Sequence, residues 1–107
     1  MKISILLPYK ENFSPDYPGA VSLFVYETSK ISKYKKKITV FGNTDFKKRF
    51  NLNYINIDLK KNIFSSQTKN YVNKFIDLEK KIDSSILEVH NRPSYIHILS
   101  SKIKNKV

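Results

Sequence analysis

Short apolar segments that resemble β-strands alternate along this chain with longer segments whose apolar residues recur at helical spacing. Residues 3–8 (ISILLP) form a nearly continuous apolar run, which is typical of a strand buried on both faces of a parallel sheet. Apolar spacing over residues 20–34 predicts the first helix. Further strands are predicted at 37–42, 54–59 and 86–90, and further helices begin near Ser65 or Ser66 and at 91–93.

This order of strand, helix, strand, strand, helix, strand and helix predicts an α/β fold. Helices between strands imply parallel pairing through right-handed crossovers, so we expect a Rossmann-like parallel sheet with helices on both faces. In that topology the first and fourth strands are neighbours, and ligands bind where their carboxyl ends meet. The segments that leave these two strands are the long loop at 9–19 and the turn at 90–93. The strand at 54–59 alternates apolar and polar residues, which indicates a position near a sheet edge.

Apolar residues at helical spacing also predict which helix faces contact the sheet. In the first helix these are Ala20, Leu23, Phe24 and Ile31, with Val21 and Val25 widening the stripe. In the second helix they are Tyr71, Phe75, Leu78 and Ile82. In the third helix they are Ile96, Leu99 and Ile103.

The chain has 107 residues and no cysteine. Domains commonly run to about 100–150 residues, so we expect a single domain. The absence of cysteine excludes a disulfide framework, a thiolate zinc site and a cysteine nucleophile. The first apolar run is shorter than a signal-peptide core, and no segment approaches the ~20 apolar residues of a membrane-spanning helix. A cytoplasmic protein is therefore the expectation.

The formal net charge of +11 comes from 18 Lys and 2 Arg against 9 acidic residues. Clustered basic residues bind phosphates, but base-edge and bidentate phosphate recognition favours the guanidinium group of Arg. Lys, Ile and Asn together account for 41 residues, and A/T-rich codons encode all three. Coding bias therefore explains the excess of Lys, and we expect no specific nucleic-acid partner. A small basic α/β module that binds nucleic acid or another protein is the alternative.

Pro18-Gly19-Ala20 precedes the first predicted helix and is poor in side-chain atoms. The free N–H groups of such a helix N-terminus suit an anion such as a phosphate, although a glycine that only shapes the turn is the other interpretation. A GxGxxG fingerprint and a Walker A loop are both absent, since Gly42 is the only other glycine.

His90 ends the fourth predicted strand and is the residue there best suited to acid–base chemistry or polar contact near neutral pH. Alternate residues of a strand share a face, so Glu88 is predicted to orient the His90 imidazole or pair with it. The alternative role is a hydrogen-bonded histidine at a strand end. Arg92 is suited to bind phosphate or carboxylate, with a surface salt bridge as its alternative. Two histidines without carboxylates at ligand spacing predict no metal site.

Three segments resemble the N-terminal domain of family 4 glycosyltransferases, which have the GT-B fold. They are the start MKISILLPYKENFSPDYPGAVSLFVYETSK, then KKKITVFGNT, then ILEVHNRPSYIHIL. The resemblance covers essentially the whole chain. Its most telling parts are Gly19 in the loop after the first strand and the strand-end motif Val89-His90-Asn91-Arg92-Pro93-Ser94.

The resemblance implies an acceptor-side domain of an enzyme that transfers a sugar from a nucleotide-diphosphate sugar, in glycan or polysaccharide biosynthesis. The donor would be a substrate rather than a cofactor, and the acceptor would be a glycan or a lipid-linked hydroxyl. It further implies that Gly19 lies near the donor phosphates and that His90 contacts the transferred sugar. Asn91, Arg92 and Tyr95 would line the cleft. The family commonly has a second glycine where this chain has Ala20.

The length of the chain departs from the family pattern. The N-terminal domain usually has further strands, and a donor-binding C-terminal domain with paired glutamates completes the enzyme. From this we expect the chain to be an inactive fragment of a glycosyltransferase, with its missing C-terminal domain as a partner. The basic surface would then have a secondary use in peripheral association with an anionic membrane that carries the acceptor.

Overall fold

The computed structural model describes residues 1–59, 67–90 and 93–102. The strands are β1 Ile3–Leu6, β2 Ile38–Gly42, β3 Tyr54–Asn56 and β4 Ile86–Val89. The helices are α1 Ala20–Lys30, α2 Gln67–Ile82 and α3 Pro93–Lys102. A short 3-10 turn at Lys35–Lys37 precedes β2, and all three of its lysines are exposed to solvent.

The four strands form one parallel sheet in the order β3-β2-β1-β4. Ile5 of β1 is paired with Val40 of β2 on one side and with Glu88 of β4 on the other. The predicted α/β Rossmann-like fold is therefore confirmed, and so is the predicted pairing of the first and fourth strands. The edge position predicted for the strand at 54–59 is also confirmed, although β3 ends earlier, at Asn56.

Helices cover both faces of the sheet, and each face has its own apolar core. Successive residues of a strand point to opposite faces, so Leu6 joins one cluster and its neighbours Ile5 and Leu7 join the other. The first cluster includes Tyr71 and Phe75 of α2 and Leu99 of α3. The second includes Phe13, Val25, Ile38 and Val40. The predicted burial of the first strand on both faces is thus confirmed.

Glu79 of α2 is a fully buried carboxylate that joins three parts of the fold. Its Oε2 accepts a hydrogen bond of 2.9 Å from the Ser4 hydroxyl on β1. Its Oε1 accepts from the Ser84 backbone N–H at 2.9 Å and also from the Ser84 hydroxyl. A buried carboxylate is tolerated only where hydrogen bonds replace its water, and these three bonds do so. Glu79 therefore ties α2 to the central strand and to the turn before β4.

The apolar stripe predicted for the first helix is confirmed at Val25, which is buried, and at Val21, which packs against the second cluster, but its other members were wrong. Leu23, Phe24 and Ile31 are 43%, 58% and 80% exposed, whereas Ser22, Val25 and Ser29 are buried. Small side chains allow a helix to approach a sheet closely, and here two serines occupy the inner face on either side of Val25. The predicted helix end at 34 was also wrong, because α1 ends at Lys30.

The stripe predicted for the second helix is confirmed, whereas that of the third is confirmed only in part. In α2, Tyr71 and Phe75 are fully buried, and Leu78 and Ile82 are packed against them at the edge of the core. In α3, Leu99 is buried as predicted but Ile96 is 46% exposed. Ser65, Ser66 and Ile103, which were assigned to helix caps or faces, lie outside the described residues.

No helix in the described ranges combines the length and the apolar character that crossing a membrane requires.

Candidate functional site

His90 directly follows β4, at the end of the sheet where the carboxyl ends of β4 and β1 lie side by side. Its Nε2 lies 2.8 Å from Glu88 Oε2, which confirms the pairing predicted from alternation along the strand. An ionised carboxylate only accepts hydrogen bonds, so Nε2 carries the proton in this pair. In the neutral imidazole, Nδ1 is then the nitrogen that keeps a lone pair. The Phe24 ring of α1 contacts the imidazole at a steep angle, with ring centroids 6.2 Å apart.

The contact with Phe24 places His90 against the second turn of α1, five residues beyond Gly19 in sequence. At ~1.5 Å per helical residue, that separation is about 7 Å along the helix axis. Gly19 is the N-cap residue and has an extended backbone with φ −70° and ψ 158°. The fold therefore places the predicted phosphate position and His90 at one edge of the sheet.

A carboxylate of the chain itself occupies the N-terminus of α1. Glu11 Oε1 accepts a hydrogen bond of 3.0 Å from the backbone N–H of Ser22, in the first turn of the helix. A Cβ atom on Gly19 would overlap this carboxylate. Gly19 thus makes room for Glu11, which satisfies an otherwise unpaired N–H and complements the positive end of the helix dipole. A ligand phosphate can use the same N–H groups only after Glu11 has moved away.

This arrangement predicts strong coupling between Gly19 and Glu11 in a double-mutant cycle. Glu11→Ala removes the capping carboxylate and is expected to lower the free energy of unfolding by about 1 kcal/mol. Gly19→Ala displaces the same carboxylate, so adding Glu11→Ala to it should cost almost nothing more. The cycle cancels the entropic effect of replacing glycine in the unfolded chain. Urea denaturation of the four proteins measures the coupling, and additive losses would show that Glu11 does not cap α1.

Of the other predicted site residues, the structure describes Ala20 and Tyr95. Ala20 is exposed at the first position of α1. Tyr95 is fully buried in the core rather than lining an open surface, and its hydroxyl accepts a hydrogen bond of 3.0 Å from the backbone N–H of Tyr9. Its role is therefore to hold α3 against the segment that leaves β1. Asn91 and Arg92 lie outside the described residues.

A polar pocket of about 410 Å³ is lined by residues that follow β1, β2 and β3 and by the start of α2. The described residues that line it are Tyr9, Lys10, Asn12, Asn43, Thr44, Asp45, Leu59 and Gln67. Tyr9, Lys10 and Asn12 belong to the loop at 9–19, which was predicted to leave the ligand-binding end of the sheet, whereas the other lining residues were not predicted. The signal that was available is the polar stretch Asn43-Thr44-Asp45 directly after a buried strand, at the edge where α/β folds bind ligands.

Hydrogen bonds between loops hold this pocket together. The Thr44 hydroxyl donates to Asn12 Oδ1 at 2.8 Å, and the Thr44 N–H donates to Asn56 Oδ1 at 2.9 Å. Asn43 Nδ2 donates to the carbonyl oxygen of Ile57 at 2.8 Å. These bonds join the segments that follow β1, β2 and β3, so the wall of the pocket is fixed in the absence of a ligand.

Tyr71 of α2 contacts the segment that follows β1, next to the pocket. Its hydroxyl donates a hydrogen bond of 2.7 Å to the carbonyl oxygen of Leu7, directly after β1, and its ring lies 5.4 Å from that of Tyr9. Burial raises the pKa of Tyr71, which keeps the phenol protonated and able to donate. Within the described residues, no three His, Asp or Glu side chains are grouped so as to hold a metal ion.

Comparison of the chain with models of protein families, with curated proteins and with solved structures found no significant match.

Proposed function

We propose that this chain is the acceptor-side domain of a glycosyltransferase that moves a sugar from a nucleotide-diphosphate sugar to a hydroxyl group. The position of His90 beside the first turns of α1 supports this proposal most directly. Sugar transfer from such a donor needs a group that holds the sugar and N–H donors that stabilise the charge of the departing diphosphate. In this proposal His90, at the carboxyl end of β4, holds the sugar, and the N–H groups of the first turn of α1 meet the diphosphate. The resemblance over residues 1–30, 35–44 and 86–99 adds further support.

In this proposal the Glu88 carboxylate positions the imidazole of His90. The Nε2 proton is directed to Glu88, at 2.8 Å, so Nδ1 is available to accept a hydrogen bond from a sugar hydroxyl. The exposed Phe24 ring covers one side of the imidazole and provides an apolar surface next to it. The N–H groups of the first turn of α1 would contact the donor diphosphate once Glu11 had released Ser22. Binding of the donor is thus expected to change the position of Glu11.

The proposal is tested with the complete natural protein that contains these residues, incubated with a panel of uridine, guanosine and adenosine diphosphate sugars. Free nucleoside diphosphate is measured by liquid chromatography, with and without simple glycan and polyprenyl phosphate acceptors. We expect at least one donor to be consumed and its release to be faster with an acceptor. Complete stability of every donor, in the presence of protein shown to be folded, would contradict the proposal.

A further inference from the structure

The polar pocket at the ends of β1, β2 and β3 is separate from the His90 region, since its lining comes from none of the residues discussed for sugar transfer. Its volume of about 410 Å³ falls within the ~300–1,000 Å³ typical of small-molecule sites. Its wall is held by hydrogen bonds between loops, because Thr44 bonds Asn12 and Asn43 bonds the carbonyl oxygen of Ile57. A preformed wall of this kind reduces the ordering cost of binding a ligand.

One buried acceptor in this wall has no partner. Gln67 is the first residue of α2, and its Oε1 is buried without a hydrogen bond to any described residue. A buried polar atom left unpaired costs about 1–3 kcal/mol, so such atoms in native proteins usually mark a place for water or a ligand. Asn43, in the same wall, already uses its Nδ2 to bond the carbonyl oxygen of Ile57.

The described residues that line the pocket carry one positive and one negative charge. Lys10 contributes one ammonium group and Asp45 one carboxylate, and both of these lining residues are exposed to solvent. A carboxylate beside the pocket disfavours a phosphate, while the ammonium disfavours a cation. Hydroxyl groups both donate and accept, so they can bond the Gln67 and Asp45 oxygens and the Lys10 ammonium at once. Tyr9 and Leu59 supply apolar wall against the carbon skeleton of such a ligand.

We propose that this pocket binds a neutral, hydroxyl-rich small molecule of monosaccharide or cyclic polyol size. Asp45 and Gln67 accept hydrogen bonds from its hydroxyl groups, and Lys10 donates to them. The site does not depend on the transferase function, because the pocket and the His90 region share no side chain.

The test is a titration of the ¹⁵N-labelled 107-residue chain with glucose, mannose, galactose, N-acetylglucosamine and myo-inositol, followed by heteronuclear NMR. With at least one of these probes, we expect saturable shifts of the Thr44 and Asp45 backbone amides and of the Gln67 side-chain amide, with a millimolar Kd. Asp45→Ala and Gln67→Ala should each raise that Kd by about tenfold, because each removes hydrogen bonds to the ligand. Asp77→Ala, on the exposed side of α2, should leave the Kd unchanged.

The same spectra show whether each variant is folded, so loss of binding is not confused with loss of structure. Three results would overturn the proposal: no saturable shift with any probe, shifts caused only by inorganic phosphate, or an unchanged Kd in both pocket variants. Shifts confined to the residues around His90 would also overturn it, while leaving the transferase proposal intact.

Discussion

Replacing Glu79 with Ala is expected to lower the free energy of unfolding by about 3 kcal/mol. The carboxylate is fully buried and accepts hydrogen bonds from the Ser4 hydroxyl and from both the N–H and the hydroxyl of Ser84. The alanine variant leaves these donors without their acceptor and opens a cavity between α2 and β1. Relief of the cost of burying a charge opposes this loss but is smaller, because the carboxylate is fully hydrogen-bonded.

Glu79→Gln is the matched variant, since it keeps the size of the side chain. The amide oxygen still accepts from Ser84, and the amide NH₂ group can donate to the Ser4 hydroxyl oxygen, so the expected loss is about 1 kcal/mol. Asp77→Ala, on the exposed side of α2, should change stability by no more than about 0.5 kcal/mol. Urea denaturation of the three variants measures these differences. Equal stability of the wild-type protein and Glu79→Ala would show that the buried network does not stabilise the fold.

The order of the strands and helices was predictable because it depends on local apolar spacing. Residues 3–8 and 37–42 are rich in branched apolar residues, and Tyr71 and Phe75 of α2 lie one helical turn apart. The inner face of α1 was not predictable in this way. Burial there falls on Ser22 and Ser29, and the larger Phe24 lies on the outer face beside His90. Spacing detects an apolar stripe but does not show which face meets the sheet.

In the candidate site, too, contacts between residues close in sequence were predictable and contacts between distant residues were not. The Glu88–His90 pair was predictable because residues two apart on a strand share a face. The capping of α1 by Glu11 joins residues 11 positions apart, and the bond from the Tyr9 N–H to the Tyr95 hydroxyl spans 86 positions. Contacts of this kind depend on the path of a loop, which no local pattern encodes. The pocket went unnoticed for the same reason, since its lining comes from four separate segments.

Replacing His90 with Ala in the complete protein is expected to lower kcat/KM for sugar transfer by about 100-fold or more. A correctly placed acid–base or hydrogen-bonding side chain contributes ~10²–10⁴-fold to such reactions. Stability should change little, because the side chain lies at the end of an edge strand and is partly exposed. Glu88→Ala should give a smaller loss, mainly in kcat, because it removes only the carboxylate that orients the imidazole. These two variants separate the residue that touches the substrate from the residue that positions it.

The role of His90 in sugar transfer is tested by the rate at which wild-type, His90→Ala and Asp77→Ala proteins release nucleoside diphosphate from the donor they accept. Each protein is assayed at the same concentration, after its unfolding midpoint has been shown to match that of the wild type. We expect equal rates for the wild type and Asp77→Ala, and a rate about 100-fold lower for His90→Ala. A His90→Ala protein as active as the wild type would show that His90 takes no part in sugar transfer.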